Sequence, residues 1–233
     1  MKKIRVALQG ASGKMGREII LASESLKDEL LITQFIAREK SKLVTIADVS
    51  HLSPKNIDVL IDFSEPKAMS KALNWCVQHK IAFVSGTTGI SQKQEQQIVT
   101  AGKKIPVFWA SNFSLGVALM TEMLKVFADQ DDFDFQIEEF HHRHKKDKPS
   151  GTAKSLQREF QKILGKKLPE PVSVRGGEIF GIHKVWAMSS SENILLEHTA
   201  LNRSVFAKGA LRASLWLARQ KPGTYTMRDL LDF

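Results

Sequence analysis

The sequence predicts an α/β protein of two domains: a first domain on a parallel sheet, and a second, α+β domain on an open mixed sheet. Apolar segments alternate with helical ones between residues 4 and 111, which is typical of parallel strands covered by helices on both faces. A glycine-rich turn follows the first of these strands. After Asn112 the pattern changes to strands with polar–apolar alternation, which indicates a second domain with a half-exposed sheet.

Five strands and three helices are predicted in the first half of the chain. The strands are 4–8, 30–36, 57–64, 81–89 and 105–111, the fourth ending in a glycine-rich turn. The helices run from about Lys14 to Ser25, over 65–79 and over 91–104. Ser91 is the predicted N-cap of the last one, since its hydroxyl can accept from a free backbone N–H.

The second half predicts a helix over 114–129, a half-exposed strand over 132–140 and a helix that starts after Pro149 and Ser150. Several antiparallel strands are expected within 172–201, then a helix over 204–220. The last residues are expected to pack back on the first domain. The predicted domains are therefore 1–112 with 201–233, and 113–200.

Composition limits the class of protein. The 233 residues carry a net charge of +9 and include one cysteine, Cys76, which lies in an apolar helical stretch and reads as a buried residue rather than a nucleophile. No apolar run approaches the roughly 20 residues of a membrane-spanning helix, and the basic start reads as a strand, not a secretory signal. These points favour a cytoplasmic protein without a membrane partner.

The positive charge suits nucleic acid or a small polyanion, but no basic face interleaved with aromatics favours nucleic acid.

The stretch "VALQGASGKMGREI" places Gly10, Gly13 and Gly16 at the first strand-to-helix turn. Glycines there allow backbone N–H groups to approach a pyrophosphate, and the next helix presents its positive N-terminus. Ser12 holds the middle position of the usual three-glycine fingerprint, so the match is incomplete; tight packing is the alternative. The position after strand one predicts a Rossmann-like, dinucleotide-binding domain.

The end of the second strand bears on which dinucleotide binds. Arg38, Lys40 and Lys42 surround Glu39, and this positive balance favours the 2′-phosphate of NADPH, although Glu39 could serve NADH. Two further strand ends, "GTTG" at 86–89 and "ASNF" at 110–113, should line the same crevice. They suit a nicotinamide and its ribose.

The stretch "EEFHHRHKKDKPSGTAKSL", residues 138–156, allows three interpretations. A metal site is disfavoured because adjacent histidines on a strand point to opposite faces. A nucleic-acid contact would not use the Pro-Ser-Gly-Thr that follows. The favoured interpretation is an anion-binding catalytic site, in which N–H groups of Gly151 and Thr152 at a helix start, with Lys145 and a histidine, bind a small dicarboxylate and move protons.

The motif "EEFHHRHKKDKPSGTA" closely resembles the signature of the dihydrodipicolinate reductase family. The segments "IDVLIDFSEP", "VSGTTG", "FWASNFSLGV", "RGGEI", "GALRASLWL" and "MRDLLDF" fall in the same order as in that family, so the resemblance covers most of the chain. It implies hydride transfer from NADH or NADPH to a cyclic, unsaturated dicarboxylate in lysine and diaminopimelate biosynthesis, by a homotetramer built through its second domain.

The resemblance also implies roles for single residues. His141 would be the proton donor or acceptor and Lys145 the second proton donor, while His142, Gly151 and Thr152 would bind the substrate. No residue is assigned to a metal. The residues implied to bind the cofactor are Gly10, Ala11, Ser12, Gly13, Lys14, Met15, Arg38, Gly86, Thr87, Thr88, Ala110, Ser111, Asn112 and Phe113.

This sequence departs from the family pattern in two places. Ala37 stands where the family often has an acidic residue, which leaves the choice between NADH and NADPH open, with NADPH favoured. A glycine- and arginine-containing loop is absent between Pro171 and Arg175, which bears on subunit contacts. The alternatives are another two-domain reductase, such as an amino-acid dehydrogenase, and a dinucleotide-sensing regulator that binds nucleic acid. The paired histidine and lysine argue against both.

Overall fold

The computed structural model describes residues 3–37 and 46–231. The chain divides into two compact units, Met1–Phe113 with Phe206–Phe233, and Ser114–Val205. Each unit has its own sheet, and each has a cluster of buried apolar side chains. In the part of the chain that the structure describes, no helix has the length and apolar character needed to cross a membrane.

The first unit contains a six-stranded sheet in which every pairing is parallel, in the order β10-β5-β4-β3-β1-β2. Its strands are β1 (Ile4–Gln9), β2 (Leu30–Ile36), β3 (Val59–Asp62), β4 (Ala82–Ser85), β5 (Pro106–Trp109) and β10 (Gly223–Tyr225). Its helices are α1 (Lys14–Ser23), α2 (Pro66–His79), α3 (Gln92–Gly102) and α6 (Ser204–Leu217). The strand order reverses between β1 and β3, and ligands of such sheets bind at the carboxyl ends of the strands beside this reversal.

The predictions for the first unit are confirmed, with corrections at element ends. β3 and β4 are buried along their whole length, as apolar strands covered on both faces must be. Ser91 caps α3 in a reciprocal capping box with Gln94. Cys76 is fully buried in α2. The first helix ends at Ser23 rather than Ser25 and continues as a 3-10 turn. The C-terminal segment pairs with β5 through β10, a strand that was not predicted.

The second unit contains a four-stranded mixed sheet in the order β7-β6-β8-β9. Its strands are β6 (Asp134–His141), β7 (Val172–Arg175), β8 (Gly181–Met188) and β9 (Asn193–Ala200). Its helices are α4 (Leu115–Met123), which continues as a 3-10 turn over Leu124–Phe127, and α5 (Gly151–Leu164). Burial alternates along β6 and β8, so one face packs in the core and the other stays open.

One prediction for the second unit is wrong. Antiparallel strands were expected throughout 172–201, but β7 pairs parallel to β6, while β8 and β9 are antiparallel as predicted. The cause is α5, which carries the chain from the end of β6 back to its start, so that β7 runs in the same direction. As a consequence, Arg175 is the register partner of His141.

Candidate active site

Two of the three predicted glycines are required by the packing of the first turn. Gly10 has φ +83°, and a Cβ there would lie 2.2 Å from the carbonyl oxygen of Phe63. A Cβ at Gly16 would lie 2.2 Å from the Gly10 oxygen. A Cβ at Gly13 would lie 3.2 Å from that same oxygen, a contact a small shift can relieve. Gly13 is the N-cap of α1, so it is the glycine placed to present a helix N-terminus to a ligand.

The turn lines a cavity of about 350 Å³ in the first unit. Gly10, Ser12 and Gly13 contribute to its wall together with the end of β2. Ala11 is buried beneath the turn, while Lys14 and Met15 begin α1. Arg38, with Glu39, Lys40 and Lys42, lies outside the described residues.

The cavity wall also contains an ion pair that the sequence did not indicate. Asp48 lies 3.4 Å from Lys71 Nζ, and both residues line the cavity. Ser50, through its backbone N–H and then its hydroxyl, lowers the pKa of Asp48, and Lys71 adds to this effect. Asp48 and Lys71 lie on different elements, so their proximity depends on the fold and leaves no local sequence signal.

A buried carboxylate joins the carboxyl ends of three neighbouring strands. Asp62, at the end of β3, accepts from Gln9 Nε2 at 3.2 Å and from Ser85 Oγ at 2.8 Å. It also accepts from Thr87 Oγ1 at 2.7 Å and from the Ser64 hydroxyl. Burial raises the pKa of Asp62, and these four hydrogen bonds oppose the rise. The network fixes the turn that contains Gly86, Thr87 and Thr88.

The second predicted strand end, residues 110–113, follows β5. The Ala110 N–H donates to the Ser85 oxygen at 3.2 Å, which holds this segment beside the Gly86–Thr88 turn, and Ser111 and Asn112 are half-buried. The side chain of Phe113 is buried, with its ring centroid 5.5 Å from that of Phe63 and 5.6 Å from that of Phe108. Phe113 therefore has a packing role in the core of the first unit.

In the second unit the buried face of β6 changes from apolar to ionic near the strand end. Phe135 and Ile137 lie in the core, and the next two residues on that face are Glu139 and His141, both buried. The His141 Nδ1 is hydrogen-bonded to Glu139 Oε2. Arg175 contacts both oxygens of Glu139, Nη1 to Oε2 at 2.8 Å and Nη2 to Oε1 at 2.6 Å.

Burial and neighbouring charges lower the pKa values of both Glu139 and His141, but for different reasons. Burial alone would raise the pKa of Glu139, but Arg175, the Ser173 hydroxyl and His141 reverse this and lower it to about 2. Burial lowers the pKa of His141; Glu139 opposes this shift, while Lys145 and Arg175 add to it. The lowered pKa values favour an ionised carboxylate beside a neutral imidazole near pH 7.

Two more histidines extend the polar region across the sheet. The His183 ring lies 5.2 Å from the His141 ring, and its Nε2 is 3.3 Å from Ser150 Oγ. His198, the cross-strand partner of His183, has its Nε2 3.0 Å from Ser114 Oγ. Burial lowers the pKa of both histidines, that of His183 to about 3. Both serines are helix N-caps, of α5 and α4, so these imidazoles lie against two helix starts.

The cationic loop after β6 leads to the start of α5. Lys145 is half-buried, and its Nζ lies 2.9 Å from Asp147 Oδ1. The Nδ1 of His142 is buried and has no hydrogen-bond partner among the described residues. The helix starts after Ser150, as predicted; Ser150 caps it by accepting from the Ala153 N–H at 3.2 Å, and Gly151 and Thr152 form the first turn. His144 lies on the surface, 3.8 Å from Glu178.

The structure thus brings His141, Lys145, Gly151 and Thr152 to one end of the second unit. Sequence reasoning assigned no role to Glu139, Arg175, His183 or Asp62. The alternation along β6 could have placed Glu139 beside His141 on the buried face. Arg175 could not have been found in this way, because its position depends on the parallel pairing of β7.

A reversing parallel sheet with a glycine turn, joined to a unit that carries a histidine–lysine pair at a helix start, defines an NAD(P)H-dependent oxidoreductase. The family model described as "Dihydrodipicolinate reductase, N-terminus" matches residues 4–113, and "Dihydrodipicolinate reductase, C-terminus" matches residues 116–231. The chain belongs to the dihydrodipicolinate reductase family.

Individual relatives agree with this assignment. The 4-hydroxy-tetrahydrodipicolinate reductase of Bdellovibrio bacteriovorus is 47% identical over 233 residues, covering 99% of this chain and 97% of the relative. The protein of that name from Pseudomonas fluorescens is 36% identical over 265 residues and covers 98% of each chain. This alignment is longer than the present chain, so parts of that relative have no counterpart in this chain. A solved dihydrodipicolinate reductase from Paenisporosarcina sp. TG-14, with dipicolinate bound, has the same fold: its TM-score is 0.84 at 23% identity, covering 99% of this chain and 100% of that one.

Proposed function

We propose that this protein catalyses the NAD(P)H-dependent reduction of 4-hydroxy-tetrahydrodipicolinate to tetrahydrodipicolinate in lysine and diaminopimelate biosynthesis. In the balanced reaction, the substrate, one hydride and one proton give the product and water. The observation that carries the proposal is the pairing of His141 with Lys145 beside the start of α5, because the reaction needs both an anion site and a proton source.

The substrate is a dicarboxylate, and the second unit offers donors that suit one. Gly151 and Thr152 are the first residues of α5, where backbone N–H groups lack intrahelical partners and the helix dipole favours an anion. The Lys145 ammonium is a further donor for a carboxylate oxygen, and the unpartnered Nδ1 of His142 is another in the tautomer that carries its proton there. Charge-assisted hydrogen bonds of this kind contribute about 1.5–3 kcal/mol each.

Proton transfer is assigned to Lys145 and His141. The ammonium of Lys145 can release a proton toward the substrate carbon next to the one that receives the hydride. His141 can exchange a proton at Nε2, since its Nδ1 is engaged by Glu139. We assign the predicted second domain, residues 113–200, to substrate binding.

We assign the predicted first domain, residues 1–112 with 201–233, to the dinucleotide. The residues of this domain fit a dinucleotide because the glycine turn and the cavity lie at the carboxyl ends of β1 and β2, beside the reversal of strand order. The residues from Gly10 to Met15 would hold the pyrophosphate, and Gly86–Thr88 with Ala110–Phe113 would flank the nicotinamide, which supplies the hydride when bound. NADPH is the preferred form in this proposal, because Lys71 lies in the cavity wall and the sequence has three cations, Arg38, Lys40 and Lys42, after the second strand.

We further propose a cytoplasmic homotetramer that assembles through the open face of the second sheet. Val172, Val174 and Leu195 are large apolar residues on this sheet with 47%, 39% and 38% exposure. Trp186 and Phe140 lie half-buried on the same face. Exposed apolar residues on a sheet face, here beside the charged row of Glu138, Lys184 and Glu197, are typical of a surface that packs against another copy.

The reaction is tested in a coupled assay in which dihydrodipicolinate synthase forms the unstable substrate from pyruvate and aspartate semialdehyde. NADPH and NADH are supplied in parallel, and an assay without the synthase is the control. Oxidation that depends on the synthase, and is faster with NADPH, is the expected result. Absence of oxidation while the cofactor still binds would contradict the proposed substrate, and faster oxidation of NADH would contradict the proposed preference.

A further inference from the structure

We propose that Glu139, held by Arg175, is a positioning residue that keeps His141 in one tautomer, with a proton on Nδ1 and with Nε2 left to exchange protons with the substrate. The inference deepens the proposed function and rests on its assignment of His141. It concerns residues that neither the histidine–lysine motif nor the glycine turn assigns.

Four contacts from three residues surround the Glu139 carboxylate. Its Oε1 accepts from Arg175 Nη2 at 2.6 Å and from the Ser150 N–H at 3.1 Å. Its Oε2 accepts from Arg175 Nη1 at 2.8 Å and is also the partner of His141 Nδ1. A guanidinium and a backbone N–H can only donate, and an ionised carboxylate can only accept. The remaining partner must therefore donate as well, which assigns a proton to Nδ1 of His141.

Burial and paired contacts hold Glu139 and Arg175 rigidly. Glu139 is fully buried, and the Arg175 side chain is 7% exposed, so the pair is shielded from water and salt. Two parallel N–H···O contacts fix the plane of the carboxylate. Arg175 Nη2 also donates to the Asp147 carbonyl at 2.6 Å, which ties the Lys145 loop to the same clamp. Rotation of the Glu139 carboxylate would break at least two of these contacts.

Four charged or titratable groups face His141. These are Glu139 on β6, Arg175 on β7, His183 on β8 and Lys145 in the following loop. His183 is neutral near pH 7 and Glu139 is the one anion of the set, so it alone favours a proton on the His141 ring. On the other side of the ring, a Cβ at Gly181 would lie 3.1 Å from His141 Nε2, so a glycine there leaves room at this nitrogen.

His141 and Lys145 therefore have different roles in proton transfer. In the enzyme without substrate at neutral pH, His141 presents an unprotonated Nε2 and acts as a proton acceptor. Lys145 is then the group that carries the transferable proton. The same logic holds for other imidazole bases, whose partner carboxylate fixes the tautomer without itself transferring a proton.

The test uses the full chain, labelled with ¹⁵N-histidine, without cofactor or substrate. Two-dimensional NMR of the imidazole nitrogens identifies the tautomer of His141, with the signal assigned by its loss in His141→Asn. The Nδ1–H tautomer over pH 6–8 is expected. The Nε2–H tautomer, or a rapid mixture of the two, would overturn the inference without any further variant.

The Glu139→Gln variant adds a functional readout. In either orientation of the glutamine amide, its NH₂ group faces an Arg175 N–H, which is also a donor, so one of the present contacts is lost. We expect a mixture of His141 tautomers, a lower pKa of the imidazole, and a fall in kcat of roughly 10- to 100-fold, with the KM for the dinucleotide unchanged. Glu138→Gln makes the same chemical change on the opposite face of β6, where the carboxylate accepts from Trp186 Nε1 at 3.0 Å, and should leave the His141 titration unchanged.

If Glu139→Gln fails to fold, Arg175→Lys keeps the positive charge and removes the planar fork, and a smaller change in the same spectra is expected. A Glu139→Gln protein with the wild-type tautomer and pH profile would show that Glu139 is merely structural. The NMR result is independent of the reaction: the expected tautomer without reductase activity would contradict the proposed function alone, and activity with the other tautomer would contradict this inference alone.

Discussion

The ammonium of Lys145 lies 2.9 Å from Asp147 Oδ1, so a carboxylate of the chain itself contacts a cation that we assign to the substrate. Burial raises the pKa of Asp147, but the hydrogen bond and charge of Lys145 outweigh this effect, and the Gly151 N–H adds to the net lowering. Asp147 thus engages two of the proposed substrate donors. A substrate carboxylate must displace it or share these donors with it.

Replacement of Asp147 by asparagine should therefore strengthen substrate binding. The neutral amide competes less well for Lys145, and the pair is partly exposed, so a two- to fivefold fall in the KM for the dicarboxylate is expected, with kcat nearly unchanged. Steady-state rates in the coupled assay measure both constants. Asp132→Asn, on the surface of the same unit, is the matched control. A rise in KM would mean that Asp147 helps to bind the substrate rather than competing with it.

Replacement of Lys145 by alanine should lower kcat strongly and leave the dinucleotide affinity nearly intact. A positioned proton donor contributes about 10²- to 10⁴-fold, and a loss in this range is expected. Lys146→Ala removes the same charge from the neighbouring exposed position and should have a much smaller effect. Turnover is followed by the coupled assay and cofactor binding by calorimetry. An equal loss of cofactor affinity would place Lys145 in the dinucleotide site instead.

The three glycines of the first turn should respond differently to alanine. Gly16→Ala would force a Cβ to within 2.2 Å of the Gly10 oxygen and 2.7 Å of the Ala11 Cα, so the backbone must move, and a loss of stability of about 2 kcal/mol or more is expected. Among the described residues, a Cβ at Gly13 meets one atom, at 3.2 Å, so Gly13→Ala should fold with nearly the same melting temperature but bind the dinucleotide more weakly. Thermal unfolding and cofactor titration separate these effects. Equal destabilisation by both changes would contradict this distinction.

The strand and helix order of this protein could be predicted because each element carries a local signal. Apolar runs predict β1 and β2, and the alternation of residues 132–140 predicts β6 with its buried face. The motif also placed His141 and Lys145 near the start of α5. The missed features depend on contacts between distant residues: Arg175 reaches Glu139 across 36 positions, and Asp62 joins three strand ends. A single sequence shows the residue types at such positions but not the register that brings them together.

The proposed tetramer predicts a mass in solution about four times the 26.1 kDa of one chain. Val174→Asp would place a charge on the open face of the second sheet, and desolvating it in an interface is unfavourable, so dissociation is expected. Val126→Asp, at a position that is 70% exposed on the 3-10 turn after α4, is the control that should leave the assembly intact. Size-exclusion chromatography with light scattering gives the mass. A monomeric wild-type protein would contradict the proposal.

The buried histidines should make the fold sensitive to acid. The pKa of His183 is about 3 in the folded protein and 6.5 ordinarily. Between these two pH values, the unfolded chain binds a proton at His183 that the folded chain does not bind. Its contribution to stability is complete above pH 6.5 and is lost as the pH falls toward 3. The pKa of Glu139, about 2 against 4.5, gives a second loss of the same sign between pH 4.5 and 2. Each group contributes a slope of about 1.4 kcal/mol per pH unit within its window. Urea unfolding at pH 7.0, 6.0 and 5.0 measures this slope, which His183→Gln should reduce; an unchanged slope in that variant would mean that His183 is protonated in the folded protein.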